Sequence, residues 1–488
     1  MANCQETLKT LASGLDQQYQ QTNQHIVQGD NPHFHRHKDG AFHLSTPPTQ
    51  AEESEPLRRL LPNQHYISLV EVLSTVNRLT SFIDAFEPWY VKYARTRPPE
   101  KTFLAGIVGY GCFIGIGKIA RISKWINETE LETTVNGYFT LDNLHAANDL
   151  LLKFMDQMEL PEVYRRQAGK LHTSSDGQKY GVAVDSLNAN YSYKYLGKDA
   201  GVSPYTFIDE RHFLWHHAVI SASEREAAYV IDGLMHNDVI KSDIHSTDTH
   251  GYSEIIFGAL HLLGFSFAPR IKTLKHQQLY GFRKRREYEQ QGYELLPDAY
   301  IKVFLIESQW DEILRFIATI KLKETTASQL FRRLNSYSKQ HPLYQALKEF
   351  GKIPKSDFIL RYIDDVELRQ AIEKQLNKSE GTNKFSKAIS FGNNHDFMYG
   401  EKVEQEIAEG CRRLIKNAII CWNYLYLSQL IAQEKDSERR QELLTAVKNG
   451  SVESWRHVNL HGEYDFSDEK MQDSIGLQMP PELALSVF

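Results

Sequence analysis

Two aspartates stand where predicted strands end, and their residue type suits binding of divalent cations. Asp176 lies beside Gly177 in LHTSSDGQKYGVAV, and Asp248 lies in IHSTDTHGYSE just before a predicted helix. Carboxylates at the ends of two strands of one small sheet can converge on a pair of metal ions, as two-metal phosphoryl transfer requires. Taken singly, such aspartates can instead form turns or cap helices. The β-β-β-α-β-α order around them favours a metal site.

A third carboxylate should come from a helix that packs on this sheet. Glu373 and Glu380, in AIEKQLNKSEGTNKFSKAIS, are seven residues apart and so share nearly the same helix face. Periodicity does not choose between them. Lys378, Lys384 and Lys387 make the surroundings of Glu380 better suited to a phosphate backbone.

A basic stretch follows the predicted core. Residues 270–286, RIKTLKHQQLYGFRKRR, carry seven Lys or Arg and no acid, with Tyr280 and Phe282 interleaved. Phosphate contacts from such a stretch can position a DNA duplex without reading its sequence. The alternative is a basic surface that only contacts solvent.

The elements that must position these residues follow from periodicity. Apolar residues recur three and four apart over much of residues 61–160, which predicts helices. Between residues 170 and 220 five short β-rich runs follow: KLHTSSD, KYGVAV, NANYSYKYL, SPYTFID and FLWHHAVI. Ser223 and Glu226 then have capping-box spacing, before a helix, the strand VIKSDIHSTD and a helix that Gly264 can end.

The rest of the chain is predicted to be mostly helical. A Gln-rich helix opens it, and a hairpin signal with Asp39-Gly40 at its turn follows. A polar tail begins at Ser437. Further helices are predicted at 310–320, 327–334, 343–350, 366–375 and 403–432.

Composition limits the class of protein. The length of 488 residues predicts two to four domains. The formal charge of −6 argues against a protein that coats DNA through a global positive field. The four cysteines form no CxxC pair and predict a reducing compartment. No signal peptide or apolar run long enough to cross a membrane is evident, so we expect no membrane association.

Several other motifs favour structural roles. GIVGYGCFIGIGK lacks the spacing of a nucleotide-binding loop, so its small residues are predicted to let helices pack closely. The His33, His35 and His37 series is interpreted as surface, although it could bind a metal. His212, His216 and His217 adjoin aromatic residues and are predicted to be structural.

Taken together, several segments resemble the replicative transposases of class II bacterial transposons, the Tn3 family. The matching segments are STDTHGYSEIIFGALHLLGFSFAPRI, LFRRLNSYSKQHPL, LRYIDDVELRQAIEKQLNKSEGTNKFSKAISFG, WRHVNLHGEYDF and, upstream, LPNQHYISLVEVLSTVNRLTSFIDAF. The resemblance implies an RNase H-like core whose three catalytic carboxylates are Asp176, Asp248 and Glu380. It is the resemblance that selects Glu380 over Glu373. Family members are about twice this length and begin with domains that recognise the transposon ends.

The fold class expected is α/β, an RNase H-like catalytic core with a helical insertion, preceded and followed by mostly α-helical segments. The 132 residues between Asp248 and Glu380 are too many for a direct connection, which is why an insertion is expected. The predicted divisions are 1–60 (helix, hairpin and linker), 61–165 (helical domain), 166–272 (first part of the core), 273–365 (helical insertion), 366–440 (closing helices of the core) and 441–488 (tail).

The function expected is Mg-dependent nicking of DNA 3′ ends and strand transfer in replicative transposition. Asp176, Asp248 and Glu380 would hold two Mg²⁺ ions, for which Mn²⁺ could substitute. The expected partners are transposon-end DNA, target DNA, a second copy of the chain and full-length transposase. The expected location is the bacterial cytoplasm, at the nucleoid. The candidate DNA contacts are His250, Arg270, Lys272, Lys275, Arg283, Lys284, Arg285, Lys378 and Lys384.

Two alternatives stay open. A truncated transposase could bind DNA or a partner and interfere without activity. A different RNase H-like nuclease could hydrolyse DNA without joining it.

Overall fold

The computed structural model describes residues 3–36, 42–48, 54–62, 66–90, 96–167, 169–249, 251–336, 341–462, 464–480 and 483. Among these described residues, the N-terminal region contains one hairpin and seven α-helices. Its elements are α1 (Cys4–Gln28), β1 (Phe34–Arg36), β2 (Phe42–Leu44), α2 (Ser54–Leu60), β3 (Ile67–Ser68), α3 (Leu69–Thr80), α4 (Glu100–Gly111), α5 (Ile116–Ile122), α6 (Glu128–Tyr138) and α7 (Leu141–Asp156). β1 and β2 pair antiparallel, as the hairpin signal predicted, whereas the predicted turn at Asp39-Gly40 lies outside the described residues.

A seven-stranded mixed sheet forms the centre of the chain. Its elements and the helices between them are β4 (His172–Gly177), β5 (Tyr180–Gly181), β6 (Asn190–Tyr191), α8 (Tyr193–Leu196), β7 (Ala200–Asp209), β8 (Leu214–Ser221), α9 (Ala227–Met235), β9 (Ile244–Thr247), α10 (Glu254–Leu263) and β10 (Ser266–Phe267). β4 pairs antiparallel with β7 and parallel with β9, and β10 pairs parallel with β9. The fold is therefore mixed α/β, as predicted.

The remaining elements are mostly helices, which is also the prediction. They are β11 (Tyr280–Gly281), α11 (Arg285–Glu289), β12 (Ala299–Tyr300), α12 (Val303–Ser308), α13 (Trp310–Lys321), α14 (Ala327–Ser336), α15 (Pro342–Asp364), α16 (Val366–Ile389), α17 (Lys402–Gln433), α18 (Ser437–Asn449) and β13 (Val458–Asn459). β13 pairs parallel with β3, so the C-terminal part of the chain closes on the N-terminal helices.

Two predicted helices are longer than their sequence signals. The helix predicted at 343–350 continues through Pro354 to the end of α15, although proline removes a backbone donor. α15 packs against α1, α10, α12 and α13, and this tertiary burial outweighs the local cost. The helix predicted at 366–375 likewise extends to Ile389, because α16 packs against β4, β7 and β9 of the sheet and against α17. α18 was not predicted within the polar tail.

Helices α10 and α15 approach unusually closely through two glycines. Gly258 of α10 faces the backbone of Gly351 on α15, and a methyl group at Gly351 would overlap the backbone of Glu254. The Nζ of Lys355 on α15 then lies 2.8 Å from Oε1 of Glu254. The segment between the sheet and α16 is thus fastened to the helix that follows Asp248.

Helix α17 carries charged residues that are withdrawn from water. Glu409 and Arg412 form a fully buried ion pair, and the Arg412 guanidinium lies 4.6 Å from the Tyr180 ring centroid. The Lys416 ammonium donates to Ser386 Oγ at 2.6 Å, and Arg413 donates to the Trp215 carbonyl at 3.0 Å. We call Glu409, Arg412, Arg413 and Lys416 the α17 charge network. Each of its charges has a partner inside the protein.

Close packing by small residues in the GIVGYGCFIGIGK segment is confirmed. This segment forms α4 and the start of α5, and α4 packs against α17. A methyl group at Gly111 would meet the backbone of Cys411 and Arg412. The glycines therefore let two helix backbones touch.

Candidate active site

Asp176 and Asp248 come to lie at the same edge of the sheet. The parallel register of β4 and β9 pairs Ser175 with Thr247. Asp176 and Asp248 are the residues that directly follow this pair. Asp176 is still within β4, whereas Asp248 follows the last residue of β9. Because neighbouring parallel strands present residues in register on the same face, both carboxylates point the same way from adjacent strands.

A buried hydrogen-bond network holds these two strands together behind the aspartates. His245 of β9 bonds through Nδ1 to Thr173 Oγ1 at 2.8 Å and through Nε2 to Ser175 Oγ at 2.9 Å. Ser175 Oγ also lies 2.6 Å from the Tyr205 hydroxyl on β7. Burial lowers the pKa of His245 to about 3, so the imidazole is neutral and can use one nitrogen as an acceptor. The network fixes the strand register on which the site depends.

Helix α16 covers the face of the sheet that carries Asp176. Ser174 accepts from Gln375 Nε2 at 3.0 Å and lies 2.7 Å from Ser379 Oγ. One turn further along α16, Asn383 Nδ2 donates to Asp176 Oδ2 at 2.8 Å. The backbone N–H of Gly177 donates to Oδ1 of Asp176 at 2.9 Å. Both oxygens of this carboxylate are therefore oriented by the protein.

The Asp176 carboxyl is held in an environment that disfavours its charge. Burial raises its pKa to about 7, with further increases from the negative charges of Glu226 and Asp248. The donors Gly177 and Asn383 oppose that rise without reversing it. A carboxyl whose pKa is displaced by burial and by like charge within a cleft is typical of a functional group.

Glu226 is a site residue that the sequence reasoning assigned to another role. The capping-box interpretation is wrong, because Glu226 is itself the N-cap of α9 and its side chain makes no capping hydrogen bond. Its carboxylate packs against Gly177, where a methyl group would overlap it, and Oε1 lies 3.4 Å from Lys179 Nζ. Because glycine has no side chain, Gly177 leaves room for the Glu226 carboxylate. The Asp-Gly pair at 176–177 was therefore the sequence signal that could have indicated a close neighbour here.

Glu373 and Glu380 differ in their surroundings. Glu373 is half-buried and its Oε2 lies 3.3 Å from Nη1 of Arg270. Glu380 is exposed, one turn before Asn383, and among the described residues its side chain has no hydrogen-bond or ion-pair partner. The backbone N–H of Arg270 bonds to the Thr247 carbonyl at 2.9 Å, so this face of α16 lies on the β9 side. Glu380 follows Glu373 by two turns of α16 and so shares nearly the same helix face.

A cleft of about 1440 Å³ opens over the strand ends. Asp176, Glu226 and Asp248 line it on the sheet side, and Arg332 of α14 and Lys348 of α15 line the opposite wall. Glu380 does not line it. Across the part of the chain that is described, no three His, Cys, Asp or Glu side chains lie together in an arrangement that could hold a metal ion.

The predicted DNA contacts that the structure describes differ in exposure and in pairing. Lys272, Lys275, Lys284 and Lys384 are exposed. Arg270, Arg283 and Arg285 each pair with a carboxylate, of Glu373, Asp16 and Glu289 respectively. His250 lies outside the described residues.

The structure argues against the predicted DNA contact of Lys378. Its side chain is buried, its ammonium donates to the Glu210 carbonyl, and Nζ lies 4.7 Å from the Tyr164 ring centroid. A phosphate cannot reach it without unpacking α16 from the sheet.

The predicted structural histidines are in the interior. Burial lowers the pKa of His212, His216 and His217, so all three are neutral. Cys4, Cys112, Cys411 and Cys421 are free thiols. None of the described helices has both the length and the apolar character needed to cross a membrane.

Comparisons with known proteins identify the family of this chain. Residues 71–464 match the family model described as the Tn3 transposase DDE domain. The chain is 32% identical over 435 residues to the transposase for transposon Tn1546 of Enterococcus faecium, covering 87% of this chain and 42% of that protein. It is 28% identical over 424 residues to the transposase for transposon gamma-delta of Escherichia coli (strain K12), covering 86% and 41%. The chain spans less than half the length of these curated relatives. Because the family model covers most of its residues, this chain belongs to the Tn3 transposase family and contains its DDE domain.

Proposed function

We propose that this chain is the catalytic portion of a transposase that nicks DNA 3′ ends and transfers them to target DNA. The observation that carries the proposal is the placement of Asp176 and Asp248 side by side, at the ends of neighbouring parallel strands, in one cleft. Family membership supplies the reaction class. The relatives are named as transposases, and their whole activity is extended here to a chain that covers under half of their length.

We further propose that the sheet is an RNase H-like core with an insertion at 273–365. The strand order β8-β7-β4-β9-β10 supports this, because three antiparallel strands are followed by two parallel ones. α16 then returns to the sheet after the insertion, as a closing helix of the core should. The predicted division at residue 60 is less distinct, because α1 packs on α15 of the insertion.

Glu380 is proposed as the third carboxylate. Glu373 is paired with Arg270, whereas Glu380 is exposed and lies within one turn of Asn383, which bonds to Asp176. A shift of α16 or a rotamer change at Glu380 is required to bring this carboxylate to the cleft. Binding of DNA and cations would supply the energy for that rearrangement.

The donor set fits divalent cations. Asp176, Asp248 and Glu226 are hard oxygen donors that repel one another, and the pKa of Asp176 near 7 reports that repulsion together with its burial. Two Mg²⁺ ions, held by Asp176, Asp248 and Glu380, would supply charge neutralisation at the attacking and leaving oxygens. Mn²⁺, which takes similar ligands, would substitute.

The residues of the chain then orient and hold the reacting DNA. Asn383 and the Gly177 N–H fix the Asp176 carboxylate, which loses its proton when it acts as a ligand. In the first step water displaces the 3′ oxygen at the transposon end. In the second, the freed 3′-hydroxyl displaces a 3′ oxygen of the target, so each step forms one P–O bond and breaks one. Positioning of in-line displacements provides most of the catalysis.

The exposed lysines Lys272, Lys275, Lys284 and Lys384 are proposed to contact DNA phosphates, with Arg283, Arg285 and Arg270 able to do so by exchanging their carboxylate partners. A working dimer, full-length transposase as a partner, and a place at the bacterial nucleoid are proposals that follow from the family. Missing end-recognition domains could be supplied in trans.

A strand-joining assay tests the proposed function. The chain is incubated with a pre-nicked transposon end, a target duplex and Mg²⁺ or Mn²⁺. Joined product supports the transferase, cleavage without joining supports the nuclease, and neither product supports interference by a truncated protein. Asp248→Ala should abolish product, whereas Asp238→Ala, at an exposed aspartate outside the cleft lining, should not.

Thermal unfolding provides the control for this variant. Asp248 lies beyond the end of β9 and is not part of the apolar core, so its replacement should leave the fold intact. Joining by folded Asp248→Ala would contradict the assignment.

A further inference from the structure

Three tyrosines in a short segment beside the cleft have rings that face solvent. Tyr191, Tyr193 and Tyr195 are 55%, 76% and 56% exposed. Large aromatic side chains are seldom left in water at this density unless they serve binding. We call residues 190–196 the tyrosine platform.

The backbone of the platform is well anchored, although its rings are not covered. Asn190 and Tyr191 form β6 and pair with Gly201 and Ala200 at the start of β7. Leu196 packs on Gly201, and the N–H of Leu196 bonds to the Ser192 carbonyl at 2.8 Å. The sequence signal predicted a strand across this run, whereas only two residues are extended and the rest form the short helix α8. The tyrosines are thus presented on a fixed backbone.

The rings and one cation form a surface suited to nucleotides. Tyr191 and Tyr193 are nearly parallel, at 15°, with centroids 6.1 Å apart. Lys194, between the exposed rings in sequence, places Nζ 4.8 Å from the Tyr195 centroid. Aromatic faces stack on bases of any sequence, and an interleaved cation attracts the phosphates.

The platform is continuous with the catalytic cleft. Ser192, Lys194 and Tyr195 line the same cleft as Asp176 and Asp248. The pKa of Lys194 is raised chiefly by Tyr195 and, to a smaller extent, by the charge of Asp248, so the ammonium is within electrostatic reach of that aspartate. Tyr195 is the ring of the platform that lines the cleft, so a strand whose phosphate occupies the cleft would reach the platform at Tyr195.

We propose that the tyrosine platform binds unpaired nucleotides of the DNA strand that enters the catalytic cleft. In a duplex, base faces are covered by neighbouring pairs, so rings in this position can stack only on bases that have left the helix. The platform would hold the strand open beside the scissile phosphate. This inference rests on the proposed function, because it takes the cleft to be the DNA-cleaving site.

A binding comparison tests the proposal without requiring chemistry. The full chain is titrated, in EDTA, with a fluorescent duplex and with a duplex of equal length that has four non-complementary nucleotides at one end. We expect the forked DNA to bind at least about tenfold more tightly, since a single stacked base contributes roughly that factor. The combined variant Y191A, Y193A and Y195A should lose this preference, with affinity for paired duplex changed less than about twofold.

Two controls separate ring stacking from loss of structure. The corresponding triple Tyr→Phe variant keeps the rings and should keep the preference. Tyr66→Ala removes an equally exposed tyrosine (75%) that does not line the cleft and should also keep it. Equal loss in the Phe and Ala variants would overturn the stacking role.

The outcomes also distinguish this inference from the proposed function. If wild type joins DNA and the alanine variant retains the fork preference, the platform role is refuted and the proposed function stands. If wild type binds forked DNA preferentially through the tyrosines but does not join DNA, the proposed function fails and the binding surface stands. Altered sedimentation of the alanine variant with unaltered DNA preference would identify a protein interface instead and overturn the proposal.

Discussion

The carboxylate cleft and the α17 charge network both remove charged side chains from water, but they do so in opposite ways. In the network, Glu409 is paired with Arg412, and Lys416 donates to a hydroxyl. In the cleft, Asp176 faces Glu226 and Asp248, and its pKa rises to about 7. Each charged group of the network has an ion-pair or hydrogen-bond partner, and these contacts fix α17 in the core. In the cleft, like charges lie close together, and under the proposed function a bound cation would stabilise them.

The largest expected effect comes from neutralising the proposed third carboxylate. Glu380→Gln should lower strand joining by roughly 10³-fold, because removing one member of a catalytic set disables the whole set. Glu373→Gln, on the same helix face, should lower joining far less, because Glu373 is committed to Arg270. Initial rates of joining for the two matched variants measure the difference. Comparable losses would mean that the helix face, rather than Glu380, is needed.

Breaking the α17 charge network should instead reduce stability. Arg412→Met leaves Glu409 buried without its partner and should lower the free energy of unfolding by about 3–5 kcal/mol. Arg439 and Glu442 of α18 have the same three-residue spacing at the surface, so Arg439→Met should change it by less than about 0.5 kcal/mol. Urea denaturation measures both. A small change in the free energy of unfolding for Arg412→Met would show that the ion pair with Glu409 does not stabilise the fold.

Glu226→Gln should change how strand joining depends on pH, because Glu226 raises the pKa of Asp176. Removal of this negative charge lowers the pKa of Asp176, so more of the carboxylate is ionised at pH 6. At limiting Mg²⁺ the ratio of joining rates at pH 6 and pH 8 should rise roughly threefold, equivalent to half a pKa unit. Glu224→Gln, two residues away, should leave the ratio unchanged. Loss of joining at every pH would indicate that Glu226 is itself a ligand.

Removing the proposed catalytic residue Asp176 should produce a gain of stability. Asp176 binds its proton near pH 7 when folded but near 3.8 when unfolded, so wild-type stability falls as pH rises between these values. Asp176→Asn has no such loss. Its free energy of unfolding should therefore exceed the wild-type value by a margin that grows to about 1 kcal/mol at pH 7, discounted because the carboxylate is partly exposed.

Urea denaturation at pH 4 to 7 without divalent cations measures this margin. Because wild type and variant share every other titrating group, the difference isolates Asp176. A margin that does not change with pH would contradict the assignment.

Much of the core could be predicted because its signals are local. The strand-end positions of Asp176 and Asp248 and the termination of α10 at Gly264 depend on residues close in sequence. Gly264 adopts a positive φ of 91°, and its backbone N–H donates to carbonyl oxygens of the last turn of α10. The course of α15 through Pro354 could not be predicted, because distant helices stabilise it.

The same limit applies to the site. Glu226 and Asn383 contact Asp176 or its neighbour Gly177 only through the tertiary fold, and a capping-box spacing assigned Glu226 elsewhere. The burial of Lys378 is likewise decided by how α16 lies on the sheet. Glu380 was selected by family resemblance, and its role stays a prediction.

The glycine contact between α10 and α15 has a mechanical consequence. Gly351 contacts the backbone of Glu254, which lies six residues after Asp248. At this point the two helix backbones touch directly, with no side chain between them. A displacement of the insertion, such as one imposed by docked DNA, would be transmitted to the strand end almost without loss. We therefore expect a movement of the insertion to shift the Asp248 half of the proposed cation site. Gly351→Ala should disrupt this coupling, because the added methyl group would overlap the backbone of Glu254.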